Sequence, residues 1–232
     1  MGFDLYGMNP VIKQGSVKPE YPDEYPGHPG KYDPDTWPGT KDEYDQVLAA
    51  WLNKRHNDSQ YQESISKYYE DLNTYEKDNV GVYFRANVWY WRPVVDWLTH
   101  HIEVLDEEDI KHLSYNDGHI INGTVAKIIG NTILHHNDEG LLDDWVQTHK
   151  IAQALRDKEE CTICEGTGVR TDAIAKEVGL PVFTKHGIEG HKCNGCNGEG
   201  KKEAFENNYP YDKEVLLRFG KFTLESGGFQ IC

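Results

Sequence analysis

The chain has 232 residues, of which 38% are hydrophobic and 12% aromatic, enough for one sizeable core carrying a small insert. Its formal net charge is −15, from 39 acidic and 24 basic residues, which argues against general affinity for nucleic acid or for anionic membranes. It has no apolar stretch of membrane-spanning length and no signal-peptide pattern at its start, so we expect a cytoplasmic protein with no membrane contact.

The first forty residues are predicted to form an irregular arm. Seven of the ten prolines lie between Pro10 and Pro38, and proline interrupts both helices and central strands. Four aromatic residues alternate with these prolines, whereas disordered tails are usually poor in aromatics. We therefore expect the arm to wrap the body through these rings rather than to be mobile: Tyr21, Tyr25, Tyr32 and Trp37.

Residues 41–77 have apolar side chains at three-to-four-residue spacing, which is typical of amphipathic helices. The polar run Asn57-Asp58-Ser59 predicts a break into two helices, with Asp58 or Ser59 as the second N-cap. Pro93 is predicted to open the next helix, because the first turn of a helix does not need that amide hydrogen.

Three further helices are predicted toward the C-terminus: about Asn122–Leu134, about Leu141–Lys158, and one that begins at Asp212 and ends at Gly227-Gly228. No alternating pattern of a strand is strong. The predicted fold class is therefore mainly α, a single helical domain with a Pro/Tyr-rich N-terminal arm and a small zinc-knuckle insert.

The expected organisation has four parts. They are an irregular arm at 1–40, a helical body at 41–158, a zinc-knuckle insert at 159–203, and a C-terminal helix and tail at 204–232 that packs on the body.

The most specific motif is a pair of CxxCxGxG repeats at residues 161–168 and 193–200. Two residues between cysteines let both thiolates of a tight turn face one ion, and two such turns supply the tetrahedral sulfur set that zinc prefers. Glycine allows the positive φ angles of such turns. One Zn²⁺ is predicted on four ligands: Cys161, Cys164, Cys193 and Cys196.

Four thiolates close the coordination sphere, so the predicted zinc is structural rather than catalytic. The alternative is a redox or free-thiol role, but a thioredoxin-like CxxC stands alone near a βαβ pattern, which this sequence lacks. His191 is surplus as a ligand, and Cys232 has no partner pair.

A second candidate site is the aromatic segment that contains Arg85, Trp89, Trp91 and Arg92. Arginine beside tryptophan suits recognition of a carboxylate, a phosphate or a planar base. The alternative is structural, with the arginines stacked on core tryptophans and paired with carboxylates.

Asp117 and His119 form the third candidate, in the run Tyr-Asn-Asp-Gly-His. A histidine beside a carboxylate can act as an acid/base pair. A turn that precedes the helix capped by Asn122 explains the same residues more simply, and we favour it over an acid/base pair. Because the sequence has no Walker loop, dinucleotide fingerprint, HExxH or nucleophile elbow, we favour a protein that is not an enzyme.

Two resemblances add to this interpretation. The CxxCxGxG pair resembles the zinc knuckles of the DnaJ chaperone family, although that family carries four repeats and two zincs. The motifs MGFDLYG, YFRANVWYWRP, YNDGH, GVRTDA and SGGFQIC, together with the knuckles, resemble an uncharacterised protein family of bacteriophages and bacteria. This second resemblance implies a viral origin and the host cytoplasm as the location, and it implies no mechanism.

The leading functional hypothesis is a zinc-stabilised, phage-encoded accessory protein that binds a host protein without catalysis. The alternative is a small-molecule or nucleotide binder, or a hydrolase, that uses one pocket formed by Arg85, Trp89, Trp91, Arg92, Asp117 and His119. Nucleic-acid binding ranks third, because the knuckle segment has no basic patch. The sequence predicts no oligomeric state.

Overall fold

The computed structural model describes residues 2–232 and contains a four-stranded antiparallel sheet built from both ends of the chain. The strand order is β2-β1-β9-β3, so the C-terminal strand lies between the N-terminal strand and a strand from the middle of the chain. The strands of this sheet are β1 Gly2–Gly7, β2 Tyr83–Asn87, β3 Ile120–Asn122 and β9 Gly228–Ile231.

Residues 2–232 also contain eight α-helices and two smaller sheets. The helices are α1 Lys41–Asn57, α2 Ser59–Asp78, α3 Val88–His101, α4 Glu107–His112, α5 Gly123–Asp138, α6 Leu141–Leu155, α7 Ala173–Glu177 and α8 Lys213–Glu225. The strands of the smaller sheets are β4 Glu159–Glu160, β5 Val169–Arg170, β6 Val182–Lys185, β7 Ile188–Lys192 and β8 Lys201–Lys202.

The predicted fold class, a mainly α single helical domain, is therefore wrong. Helices account for 48% of the protein and strands for 14%, in several small antiparallel sheets, so the fold is mixed α/β. The strands were missed because each is at most six residues long, and those of the main sheet pair with distant segments, as Gly2 does with Asn87 and Leu5 with Ile231. Local periodicity does not identify such a partner.

The main core lies between one face of this sheet and the helices α3, α5 and α8. Strands β1 and β2 contribute alternate residues to it, among them Phe3, Leu5 and Phe84. Trp91 and Trp97 of α3 are fully buried, and the Trp91 indole N–H donates to the Leu113 carbonyl at 2.6 Å.

Helices α1 and α2 form a hairpin that contributes no residue to the buried set of the main core. The arm lies against this hairpin through its aromatic rings. Tyr25 is 5% exposed, and its ring contacts Trp51 and Tyr61 at centroid distances of 5.9 and 5.0 Å. The hydroxyl of Tyr44 donates to the Gly30 carbonyl of the arm at 2.7 Å.

Several predicted helix starts are confirmed. The side chains of Asp58, Asn122 and Asp212 accept backbone N–H bonds as the N-caps of α2, α5 and α8. The predicted start at Pro93 is wrong, because α3 begins at Val88 and Pro93 lies buried inside it.

The correct N-cap of α3 is Asn87, whose side chain accepts from the amides of Trp89 and Tyr90 at 3.1 and 3.2 Å. None of the helices within residues 2–232 combines the length and the apolar character that crossing a membrane requires.

Candidate metal centre

The four knuckle cysteines meet at one point, and all four are buried. Their Sγ atoms all lie within 4.8 Å of one another, with Cys161 and Cys193 at 3.8 Å and Cys164 and Cys196 at 3.6 Å. Four ligands at about 2.3 Å from a tetrahedral zinc would be separated by about 3.8 Å. The cluster could therefore hold a metal ion, and its geometry is compatible with one structural zinc.

Each knuckle is a turn that directs backbone amides at its own sulfur. The Gly168 N–H donates to Cys164 Sγ at 3.2 Å, and the Gly200 N–H donates to Cys196 Sγ at 3.1 Å. Backbone N–H groups stabilise thiolates, as a metal ligand requires. The repeated sequence therefore gives two equivalent half-sites.

The glycines also let the two knuckles fit into each other. A Cβ at Gly168 would lie 2.3 Å from the Gly198 carbonyl oxygen, and one at Gly200 would lie 2.1 Å from that of Gly166. The amide of Cys161 donates to the Gly200 carbonyl at 2.9 Å, and that of Cys193 donates to the Gly168 carbonyl at 3.0 Å. The CxGxG spacing thus serves the packing between half-sites as well as the turns.

Without a metal ion, the pKa values of two of the four thiols are shifted in opposite directions. Burial raises the pKa of Cys164 to about 12. Burial also acts to raise the pKa of Cys196, but the Gly200 amide and the neighbouring thiols outweigh it and lower that pKa to about 7. Binding of a divalent cation would supply the positive charge that allows all four thiols to ionise.

The zinc-knuckle insert, residues 159–203, begins and ends in the paired strands β4 and β8. Between the knuckles lie α7 and the sheet of order β5-β7-β6. Arg170 joins the two halves, since its guanidinium donates to Asp172 at 2.7 and 2.8 Å and to Asn194 at 2.9 Å. This arginine lowers the pKa of Asp172 to about 2.

Sequence reasoning missed Arg170 and Asn194, because only the fold brings these two residues together. The imidazole Nδ1 of His191 lies 2.6 Å from the Leu180 carbonyl oxygen, outside the four-sulfur cluster.

The four residues of the aromatic candidate point to different surroundings. Arg85 is exposed on the edge strand β2 and lies 3.5 Å from Asp4. Trp89 is 41% exposed and packs against Phe205 and Tyr209, in and next to a 3-10 turn at Phe205–Asn208 that precedes α8, while Trp91 is part of the core. Arg92 is exposed on α3.

Asp117 and His119 lie near the opposite edge of the main sheet, next to β3. The preceding residue, Asn116, reaches β1, because its side-chain amide donates to the Gly2 carbonyl at 2.8 Å. The structure holds Asp117 and His119 together, since the His119 amide donates to Asp117 Oδ1 at 3.3 Å, and no hydrogen bond or ion pair joins either of them to Arg85 within residues 2–232.

Asp117 and His119 each take part in a histidine–carboxylate pair with a residue of α4. Asp117 lies 2.5 Å from His112 Nδ1, and His119 Nε2 lies 2.7 Å from Asp109. The imidazoles of His112 and His119 stack at a centroid distance of 4.7 Å. The hydrogen bond from His112 lowers the pKa of Asp117. These pairs fasten the 113–119 loop to α4, and no local sequence pattern indicated His112 or Asp109 as partners.

Comparisons with family models, with curated proteins and with solved structures return no match for this chain. The assignment of the cysteine cluster therefore rests on its own geometry.

Proposed function

We propose that this chain is a zinc-stabilised protein without catalytic activity that binds another protein through its zinc-knuckle insert. The observation that carries the proposal is the cluster of four buried thiols. A sphere closed by four thiolates leaves no coordination position for a water or a substrate, so the metal stabilises the insert and does not react.

The insert carries aliphatic side chains on its outside. Four of them are more than half exposed, although the insert has little apolar core apart from its cysteines. Ile174 lies in α7 and Val178 directly follows it, and the Val178 amide donates to the Ile174 carbonyl at 2.9 Å, so the two residues are neighbours at the end of this helix. Exposed aliphatic groups on a small rigid element are typical of a protein contact surface. The four are Ile163 at 51%, Ile174 at 59%, Val178 at 59% and Val182 at 84%.

The partner that we propose is a protein of a bacterial host. The support for this is the resemblance of the motifs to proteins of bacteriophages and bacteria, and the balanced charge of the knuckle segment, which lacks the basic patch that would favour nucleic acid. Zinc would fix the insert before binding, which lowers the entropy cost of forming the contact.

A photo-crosslinking experiment tests the proposal. A photoreactive amino acid is placed at Val182, and the zinc-loaded protein is irradiated in bacterial lysate. We expect one specific protein to crosslink, and we expect the product to be lost when Ile174→Ser and Val178→Ser are added. The matched control places the same photoreactive group at Val17, which is 82% exposed in the arm. Absence of a product specific to Val182, or equal products from both positions, would contradict the proposal.

A further inference from the structure

Strand β2 has a free edge. It is the first strand in the order β2-β1-β9-β3, so β1 covers only one of its sides. The amide of Gly7 donates to the Val82 carbonyl at 3.0 Å, so these two residues form a hydrogen-bonded pair of the antiparallel ladder. Every second residue of β2 after Val82 is therefore bonded to β1. Phe84 and Ala86 therefore bond to β1, and the backbone N–H and C=O groups of Tyr83 and Arg85 face outward.

Two adjoining cavities lie along this edge, between β2 and helix α8, and the C-terminal part of α2 also lines the smaller one through Asn73, Glu76 and Lys77. Their volumes are about 500 and about 390 Å³, and both are lined by Arg85 and Arg218. The larger one extends past Tyr90 toward the start of α8, and the smaller one has Val80 and Phe222 among its apolar lining residues. Together they form a groove that follows the strand, which we call the β2 groove.

The smaller cavity of the β2 groove is basic, in contrast to the acidic protein around it. Four cationic side chains line it against a single carboxylate, that of Glu76. Within residues 2–232, Arg218 has no carboxylate within ion-pair distance, and its guanidinium lies 5.7 Å from the centre of the Phe84 ring. The four cations are Lys77, Arg85, Arg218 and Lys221.

We propose that the β2 groove binds an extended segment of another protein in which acidic and aliphatic residues alternate. The backbone of the segment would pair with Tyr83 and Arg85 and add a fifth strand to the sheet. Alternate side chains of a strand point to opposite faces of the sheet. The set that points toward α8 would meet Phe222 together with Arg218 and Lys221, and the other set would lie on the face of the exposed Arg85. This site is separate from the zinc-knuckle insert and does not depend on the function proposed for it.

The test uses a short synthetic peptide of alternating glutamate and valine, added to the full-length, zinc-loaded, isotope-labelled protein. We expect the backbone amide signals of Tyr83 and Arg85 to shift and to become protected from solvent exchange. A peptide of alternating lysine and valine should produce neither effect. Equal effects from both peptides, or no effect from the acidic one, would overturn the proposal.

Protein variants and a modified peptide separate the contribution of charge attraction to binding from that of backbone pairing with β2. Arg218→Glu should weaken binding of the acidic peptide by about tenfold or more, because it replaces an attractive charge by a repulsive one. Arg92→Glu is the matched control, since Arg92 is an exposed arginine outside the groove, and it should leave affinity unchanged. N-methylation of alternate peptide amides should abolish binding when the methyl groups face β2.

Undiminished binding of that methylated peptide would show that no strand is added, and would overturn the proposal. Inorganic phosphate is the last probe. If phosphate alone shifted the Tyr83 and Arg85 amides and displaced the peptide, the groove would be a free-anion site rather than a peptide site.

Discussion

At the scale of single residues, the cysteines and glycines of the knuckles act together. The cysteines supply the sulfur atoms, and the glycines allow the two turns to approach within a distance that any Cβ would prevent. Gly168 and Gly200 also have φ angles of 80° and 89°, which L side chains rarely adopt. The close contact between the turns and the positive φ angles are both met by the glycines of the same repeated motif.

Replacing one ligand tests the metal assignment. Cys193→Ser should reduce bound zinc from about one ion per chain to nearly none, because three thiolates and a hydroxyl hold zinc poorly. We expect hydrogen exchange to rise throughout residues 159–203 and to stay slow in the main sheet. Metal analysis and exchange mass spectrometry provide the measurements.

Cys232→Ser is the matched control for this variant, since Cys232 is an exposed thiol outside the cluster. It should retain zinc. A metal-free protein whose insert is still protected from exchange would refute the structural role of the metal.

The pair formed by Asp117 and His112 predicts a dependence of stability on pH. The pKa of Asp117 is lowered in the folded protein by the hydrogen bond from His112. The resulting stabilisation is present above the pKa of an unfolded aspartate, about 3.9, and it is lost as the pH falls below that value. Asp117→Asn should therefore lose less stability than the wild type between about pH 6 and pH 3.

Urea unfolding midpoints at several pH values measure this difference. Glu63→Gln serves as the control because Glu63 is exposed and forms no ion pair within residues 2–232. It should follow the wild-type curve. If Asp117→Asn followed that curve as well, the pair would contribute nothing to stability.

At the scale of elements, the contact between α5 and α8 depends on small residues. A Cβ at Gly130 would lie 2.5 Å from Leu224 Cγ and 2.7 Å from the Gly220 carbonyl oxygen. A Cβ on Gly220 would lie 2.8 Å from Ile133 Cγ2. The two helices are therefore as close as their backbones allow, and the Gly220 oxygen cannot move away like the end of a flexible side chain.

This close approach predicts the effect of Gly130→Ala. Alanine favours a helix by about 1 kcal/mol over glycine, but forcing apart a packed pair costs about 1–3 kcal/mol. We expect net destabilisation, seen as a lower urea midpoint. Asn131→Ala, on an exposed position of the same turn, should be neutral or stabilising. A Gly130→Ala protein at least as stable as the wild type would show that the helices can separate freely.

Elements were predicted well where their signals are local. Asp58, Asn122 and Asp212 are N-caps, and a cap depends only on a side chain and the next three residues. Pro93 misled because proline inside a helix removes one backbone hydrogen bond and crowds the preceding turn, which favours a place at the start; in α3 the burial of Pro93 and its neighbours in the core offsets that cost. The strands of the main sheet were not predicted because their hydrogen-bond partners lie far along the chain.

At the scale of the whole molecule, the last strand closes the main sheet. β9 lies between β1 and β3, with Phe229 and Ile231 fully buried. The backbone of Cys232 exchanges two hydrogen bonds with Asp4, at 2.8 and 3.1 Å. The chain therefore joins its two ends in one sheet, and the sheet is complete only when both are present.

Truncation after Ser226 should consequently prevent folding of the body. It would leave β1 and β3 without their common neighbour and would remove Phe229, whose burial alone is worth about 3–5 kcal/mol. Loss of the near-ultraviolet circular dichroism signal and of cooperative unfolding would be the readout. Cys232→Ser, which keeps the backbone, should fold normally, and a truncated protein that unfolds cooperatively would contradict the prediction.

The sequence by itself determined the four-cysteine cluster and most helix starts, because ligand spacing, caps and glycine turns act over a few residues. Only the tertiary structure decided the rest. It placed Arg85 at a sheet edge beside Arg218 and put Asp117 and His119 beside His112, Asp109 and the opposite edge. Those neighbours depend on pairing between segments as distant as Leu5 and Ile231, and such pairing is fixed by packing of the whole core.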